Sequence, residues 1–166
     1  MPEFRQNLAT KEWVIVSPER GKRPSDFKRD PETREPIPSY SDKCPFCPGN
    51  EENTAPDIFR FPEEGNWQVR VVPNKFAALK PDLATTRTKA GKFLAAKGFG
   101  IAEVVIETPK HDRHLALMSI DEVTAVLKAY RQRQDEISKN ADINLITIFR
   151  NHGFKAGTSL EHPHSQ

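Results

Sequence analysis

Cysteine is nearly absent from this chain. Two occur in 166 residues, both within a single Cys-x-x-Cys, Cys44-Pro45-Phe46-Cys47. A framework of structural disulfides is thereby excluded, and the spacing reads as metal or redox chemistry in a cytosolic protein. Long apolar runs are missing too. None approaches the roughly 18 residues that would span a bilayer, so no membrane role is expected. The first residues lack the charged-then-apolar pattern of a secretory signal, and the expected location is cytoplasmic. Charge of one sign is also scarce. The net charge of +2 is too small to argue for nucleic acid or an anionic membrane surface. There are no internal repeats and no low-complexity segment. What is present is a charged fraction of 29%, an apolar fraction of 36% and 14 prolines. At this length the balance describes one α+β domain with much irregular surface.

Four segments read as strands, residues 12–16, 67–72, 102–107 and 143–150, because β-branched and aromatic residues cluster there between turn signals. The strongest element is a helix over residues 119–139. Ser119-Ile-Asp-Glu122 is a capping box, and Val123, Val126, Leu127, Tyr130 and Ile137 recur at helical spacing as a core stripe. The expected fold is α+β: a mostly antiparallel sheet with this helix packed across one face. Residues 25–42 and 85–100 have no periodicity and read as loops, the second a flexible excursion. Arg20-Gly-Lys-Arg23 is a basic loop. Its arginine forks suit phosphate, although by itself it is a solvated charge cluster.

The chemistry concentrates at the far end, in His162-Pro163-His164-Ser165-Gln166. Residues two apart in an extended segment face the same side, so the two imidazoles stand together, and Pro163 restricts the backbone between them. Cys44-Pro-Phe-Cys47-Pro-Gly49 is a knuckle-like turn that lets two thiolates face one ion. A redox dithiol would want a helix to follow, and Pro48-Gly49 argues against one. Two thiolates and two imidazoles make a tetrahedral zinc site. The imidazoles come from the pairs His111/His114 and His162/His164, and spacing does not choose within either pair. His152, in a glycine turn, reads as an exposed loop residue.

Five landmarks in order resemble the galactose-1-phosphate uridylyltransferases, a branch of the histidine-triad superfamily. They are Trp13-Val-Ile-Val-Ser-Pro18-Glu-Arg20-Gly-Lys-Arg23-Pro24, the Cys44–Cys47 knuckle, Val72-Pro-Asn74-Lys75-Phe76-Ala-Ala-Leu79, Pro109-Lys-His111, and Asn151 through Gly157-Thr-Ser159 to His162-Pro-His164-Ser-Gln166. The resemblance implies that Cys44, Cys47, His111 and His162 hold zinc and that His164 is the catalytic nucleophile. It places Arg20, Arg23, Asn74, Lys75, Asn151, Gly157, Ser159 and Gln166 on nucleotide-sugar-binding positions, with Asn53 a weaker candidate because the loop around it matches poorly. His114 and His152 match no functional position. The match covers only the first half of the family's length, so residues 1–166 read as the N-terminal histidine-triad-like domain. A second metal position and the partner-subunit residues that hold the hexose lie outside it.

The implied reaction passes UMP between UDP-glucose and galactose 1-phosphate through a covalent uridylyl-histidine, which divides one displacement between like charges into two. Gln166 favours transfer over hydrolysis, because an amide donates a hydrogen bond but is neither acid nor base. The implied partners are a UDP-sugar and a hexose 1-phosphate, and the implied assembly is a homodimer. An alternative keeps the same site and nucleophile but acts on ADP-glucose or diadenosine polyphosphates. A zinc-stabilised nucleic-acid-binding module is disfavoured, since no basic stripe exists.

Overall fold

The computed structural model describes residues 1–18, 36–158 and 160–166. Arg20, Arg23 and Ser159 therefore lie outside the described residues. Among the described residues, eight strands form two antiparallel four-stranded sheets. One sheet has the order β2-β1-β6-β5, from β1 (Glu3–Gln6), β2 (Trp13–Val16), β5 (Arg87–Ala90) and β6 (Phe93–Lys97). The other has the order β3-β4-β7-β8, from β3 (Phe59–Phe61), β4 (Val69–Pro73), β7 (Glu103–Ile106) and β8 (His164–Ser165). The mostly antiparallel α+β class holds, with the sheet divided in two. The strand expected at 12–16 belongs to the first sheet, while those expected at 67–72 and 102–107 form the centre of the second.

The second sheet carries the core. Val69, Val71 and Val105 point to one face and meet Ala125, Val126 and Ala129 of the helix α1 (Ile120–Ile137). Val72, Val104 and Ile106 point to the other and meet Cys44, Phe46, Cys47 and Trp67. Burial on both sides explains why β7 reads as a short continuous apolar run, whereas residues 67–72 read as an alternation because polar residues interrupt them. The interruption is Arg70, which is buried at 1% exposure. Asp57 accepts from it at 2.9 Å, Thr54 Oγ1 at 3.1 Å, and its guanidinium lies 5.4 Å from the Trp67 ring centroid. A buried charge so paired and stacked is tolerated where a bare one is not.

The helix begins as its sequence specifies. Ser119 Oγ accepts from Glu122 N–H at 3.2 Å, and Glu122 Oε2 accepts from Ser119 N–H at 2.7 Å. Its buried stripe differs from the expected one. Leu127 is 57% exposed, and Ala125 and Ala129 take the inner positions beside Val126. Small side chains let the helix axis lie close to the sheet, and that approach turns Leu127 outward. Replacement of Ser119 by alanine is expected to cost about 1 kcal/mol, read from urea denaturation. Hydrogen bonding to the Ser119 backbone holds the Glu122 carboxyl below the usual range. Its contribution is therefore present above the unfolded carboxyl's ordinary value and is lost as pH falls through the depressed one.

Two expectations fail locally. Residues 85–100 are not a loose excursion: β5 and β6 pair from Arg87↔Ala96 to Ala90↔Phe93. The two-residue turn between them starts at Gly91, whose φ of +63° is the positive angle such hairpins need at that position. Conversely, residues 143–150 form no strand. One reciprocal pair of backbone hydrogen bonds, Phe149 with Gln166 at 2.9 Å each way, is the pairing described there. Leu145 is 82% exposed and Ile148 and Phe149 are also exposed. The residues have strand propensity, but among the described residues Gln166 is their one cross-strand partner, and propensity without a neighbour builds no ladder.

Candidate active site

The knuckle is built by a local hydrogen-bond pattern. Cys47 N–H donates to Cys44 C=O at 3.3 Å, Asn50 N–H to Cys47 C=O at 3.1 Å, and Gly49 turns the chain at φ +90°. The Asn50 side-chain amide donates to the carbonyls of Ser41, Asp42 and Cys44. Phe46 N–H donates to Cys44 Sγ and Ser41 N–H to Cys47 Sγ, each at 3.4 Å. Both sulfurs thus face the same side and receive backbone donors, the environment a thiolate requires.

Two other elements meet them there. His111 follows β7, its N–H donating to Ser39 C=O at 3.0 Å, and His162 leads into β8. The ligand atoms of Cys44, Cys47, His111 and His162 all lie within 4.8 Å of one another, and all four residues are buried. Cys47 Sγ is 3.3 Å from His111 Nδ1 and 3.6 Å from His162 Nδ1, and Cys44 Sγ is 3.7 Å from His162 Nδ1. Metal–sulfur and metal–nitrogen bonds of about 2.3 and 2.0 Å at tetrahedral angles put sulfur and nitrogen about 3.5 Å apart. The arrangement fits a tetrahedral ion. Without one, burial pushes the Cys44 thiol up to about 11 and the His162 imidazole down to about 4, so both are held uncharged.

The tautomers follow from the hydrogen bonds. His162 Nε2–H donates to Thr108 C=O at 2.7 Å, which leaves the Nδ1 lone pair facing the sulfurs. The carbonyl of His162 in turn accepts from His164 Nδ1–H at 2.8 Å. His164 Nε2 therefore carries a lone pair and is free to attack. Burial lowers the His164 pKa, against the opposing pull of the His162 carbonyl, and so keeps the ring neutral. Its edge rests against Phe46, centroid to centroid 5.6 Å.

Of the expected nucleotide-sugar residues, Asn74 and Gln166 are brought together. Asn74 Oδ1 accepts from Phe76 N–H at 2.9 Å, so its Nδ2 is the donor to Gln166 Oε1 at 3.1 Å. That bond uses the Gln166 amide oxygen, and its amide N–H groups are the donors that remain. Asn74 and Gln166 also line a groove of about 610 Å³, together with Phe4, Ile15, Ala96, Leu145 and Phe149. Lys75, Asn151 and Gly157 are exposed on loops, and Asn53 is exposed at the end of the 3-10 turn Glu51–Asn53. His114 and His152 stand apart from the metal cluster, their rings 5.1 Å from each other. Sequence reasoning overlooked Thr108, whose carbonyl fixes the His162 tautomer, and Glu107 and Ser165, both buried. A backbone carbonyl carries no residue-type signal, but a charged residue ending a strongly apolar strand does, and Glu107 is one.

The last strand of the second sheet thus presents a tautomer-locked histidine beside a buried Cys2His2 cluster. The family profile described as galactose-1-phosphate uridyl transferase, N-terminal domain, matches residues 1–166, and the chain belongs to that family. It is 41% identical over 169 residues to an ADP-glucose phosphorylase of Arabidopsis thaliana, covering 99% of this chain and 47% of that protein. It is 32% identical to the galactose-1-phosphate uridylyltransferase of Haemophilus influenzae, covering 99% of this chain and 46% of that protein. The crystal structure of the Arabidopsis ADP-glucose phosphorylase with bound ADP-glucose superposes with a TM-score of 0.67 at 38% identity, over 99% of this chain and 47% of that one. A uridylyltransferase structure superposes with a TM-score of 0.68 at 28% identity, over 98% of this chain and 44% of that one. The chain thus spans just under half the length of the curated relatives it matches. Among the described residues, no helix is long and apolar enough to cross a membrane.

Proposed function

We propose that this protein transfers a nucleotidyl group from a nucleoside diphosphate glucose through a covalent adduct on His164. The hydrogen bond from His164 Nδ1–H to the His162 carbonyl carries the reading, because it leaves Nε2 unprotonated at one defined place. Nε2 attacks the α-phosphorus, the bond from that phosphorus to the bridging oxygen breaks, and glucose 1-phosphate leaves. An acceptor phosphate oxygen then attacks the same phosphorus and the phosphorus–nitrogen bond breaks. Throughout, Nδ1–H stays on the His162 carbonyl, which stabilises the positive charge the ring acquires on attack. The Gln166 amide donates to a phosphoryl oxygen. On the resemblance, Asn151, Gly157 and Ser159, with Arg20 and Arg23, would bind the phosphates and Asn74 and Lys75 the base side, with Asn53 a weaker candidate for a nucleotide-sugar contact.

Zinc is the ion proposed for Cys44, Cys47, His111 and His162, since two thiolates and two imidazoles at tetrahedral spacing suit it. Bound there, it supplies a structural clamp that favours the thiolate forms and fixes the carbonyl on which His164 depends.

ADP-glucose with inorganic phosphate as acceptor is the substrate pair we favour. The support is the 41% identity to the Arabidopsis phosphorylase against 32% to the Haemophilus uridylyltransferase. Uridylyl exchange between UDP-glucose and galactose 1-phosphate is the second reading, favoured by the family's description. Burst release of glucose 1-phosphate separates them. A burst with ADP-glucose and an adenylyl adduct on His164 support the first; a burst confined to UDP-glucose, with turnover restored by galactose 1-phosphate, replaces it with the second. The homodimer and the cytoplasmic location are part of this proposal, and light scattering of the intact protein tests the former.

A further inference from the structure

Two consecutive residues after β7 hold the whole segment around His164. Thr108 accepts from His162 Nε2–H through its carbonyl at 2.7 Å. Glu107 N–H donates to the Pro163 carbonyl at 3.2 Å. The buried Glu107 carboxylate accepts from Arg150 Nε–H at 2.9 Å and from the Tyr130 hydroxyl at 3.2 Å, and the Tyr130 oxygen lies 2.7 Å from Ser165 Oγ. A carboxylate only accepts, and tyrosine has one proton to give. With that proton on Glu107, Ser165 must donate to Tyr130, and the chain runs in one direction, Ser165 to Tyr130 to Glu107. Burial raises the Tyr130 pKa to about 12, so the phenol keeps its proton.

This network grips the nucleophile from behind. β8 is two residues long and pairs with β7 only at Ile106↔His164 and Val105↔Ser165. Alternation puts Ser165 on the face that carries Val105 and the helix, and His164 on the face that carries Ile106 and the knuckle. So short a pairing does little to fix the roll of the strand about its own axis, and a roll swings the His164 ring. The Phe149–Gln166 pair and the bonds to Glu107 and Thr108 hold the segment on either side, and the hydroxyl of Ser165, buried and anchored through α1, adds a restraint within the strand itself.

We propose that Tyr130, acting through Ser165 and Glu107, is a positioning residue that holds His164 Nε2 in line with the α-phosphorus of the donor. The proposal rests on the reading of His164 as nucleophile. A displacement of about 1 Å at a reacting atom costs on the order of 100-fold in rate.

The test uses single-turnover labelling of the intact protein with ADP-glucose and UDP-glucose carrying label at the α-phosphorus. Tyr130→Phe keeps the ring and removes the hydroxyl. Its adduct is expected to form about 10–100-fold more slowly, with the apparent KM for the donor changed less than about two-fold and metal content unchanged. Ser165→Ala should slow it to a similar extent, and the double variant by no more than either alone, because both break one chain. Val126→Ala, in the same helix but within the apolar core, controls for loss of stability and should leave the rate unchanged. The nitrogen shifts of His164 give a readout free of catalysis: wild type should show the Nδ1–H tautomer alone, and Tyr130→Phe a mixture. A Tyr130→Phe protein that labels within two-fold of wild type, or that slows only as Val126→Ala does, overturns the positioning role while leaving the nucleophile in place. Absence of label from His164 in wild type overturns both.

Discussion

Replacement of His164 by alanine is expected to abolish nucleotidyl transfer, by at least about 1,000-fold in turnover, while the protein keeps its metal. The two histidines two residues apart are not equivalent. His162 directs Nδ1 at two sulfurs and uses Nε2 to hold Thr108, whereas His164 spends Nδ1 on a backbone carbonyl and leaves Nε2 unengaged. Loss of the second removes the attacking atom and disturbs no ligand. Loss of the first removes a ligand and loosens the carbonyl that holds the second, so His162→Ala should lose metal and activity together. Metal content measured beside single-turnover labelling gives the two patterns. A His164→Ala variant that still transfers label at a tenth of the wild-type rate would sink the double displacement and leave direct transfer between the two phosphates.

The second large effect is on stability. Chelation of the metal, or Cys47→Ser, is expected to cost about 5 kcal/mol, because binding of a structural ion is folding free energy. For a chain of this size that lowers Tm by roughly 10–20 °C. The site explains the magnitude. Cys47 is fully buried within the core cluster that includes Trp67, Val72 and Ile106, and an ion held by the four ligands would tie together the knuckle, the turn after β7 and the lead into β8. The stripped protein should also respond to pH in both directions. His162, held down to about 4, gives stability that is present above its unfolded value near 6.5 and is lost as pH falls from there toward 4. Cys44, held up to about 11, gives stability that is present below its unfolded value near 9 and is lost as pH rises from there toward 11. Calorimetry of the chelated protein across that range checks both slopes. A metal-free protein with the Tm of the loaded one would show the cluster to be incidental.

The sequence by itself determined the elements whose signals are local. The Ser119–Glu122 capping box places the start of α1 because its two hydrogen bonds close within one turn. The Cys44–Cys47 knuckle is legible for the same reason: proline, glycine and cysteine at fixed offsets bend the chain over a few residues. The His162–His164 pair could be read as facing one way from period-two geometry alone, and the family's landmarks then ranked the ligands. The tertiary structure decided everything that depends on a partner distant in the chain. Residues 143–150 have the composition of a strand but, among the described residues, a single cross-strand pair with Gln166, and the largely polar, exposed residues 87–90 pair with β6 across the turn at Gly91. Leu127 outranks Ala129 in hydrophobicity, yet the close approach of α1 to Val69 and Val71 buries the alanine. That His162 turns Nδ1 to the sulfurs and His164 keeps an unprotonated Nε2 rests on two backbone carbonyls, those of Thr108 and His162. Every residue has a carbonyl, so no residue type announces it, and only the folded chain shows which one a ring nitrogen meets.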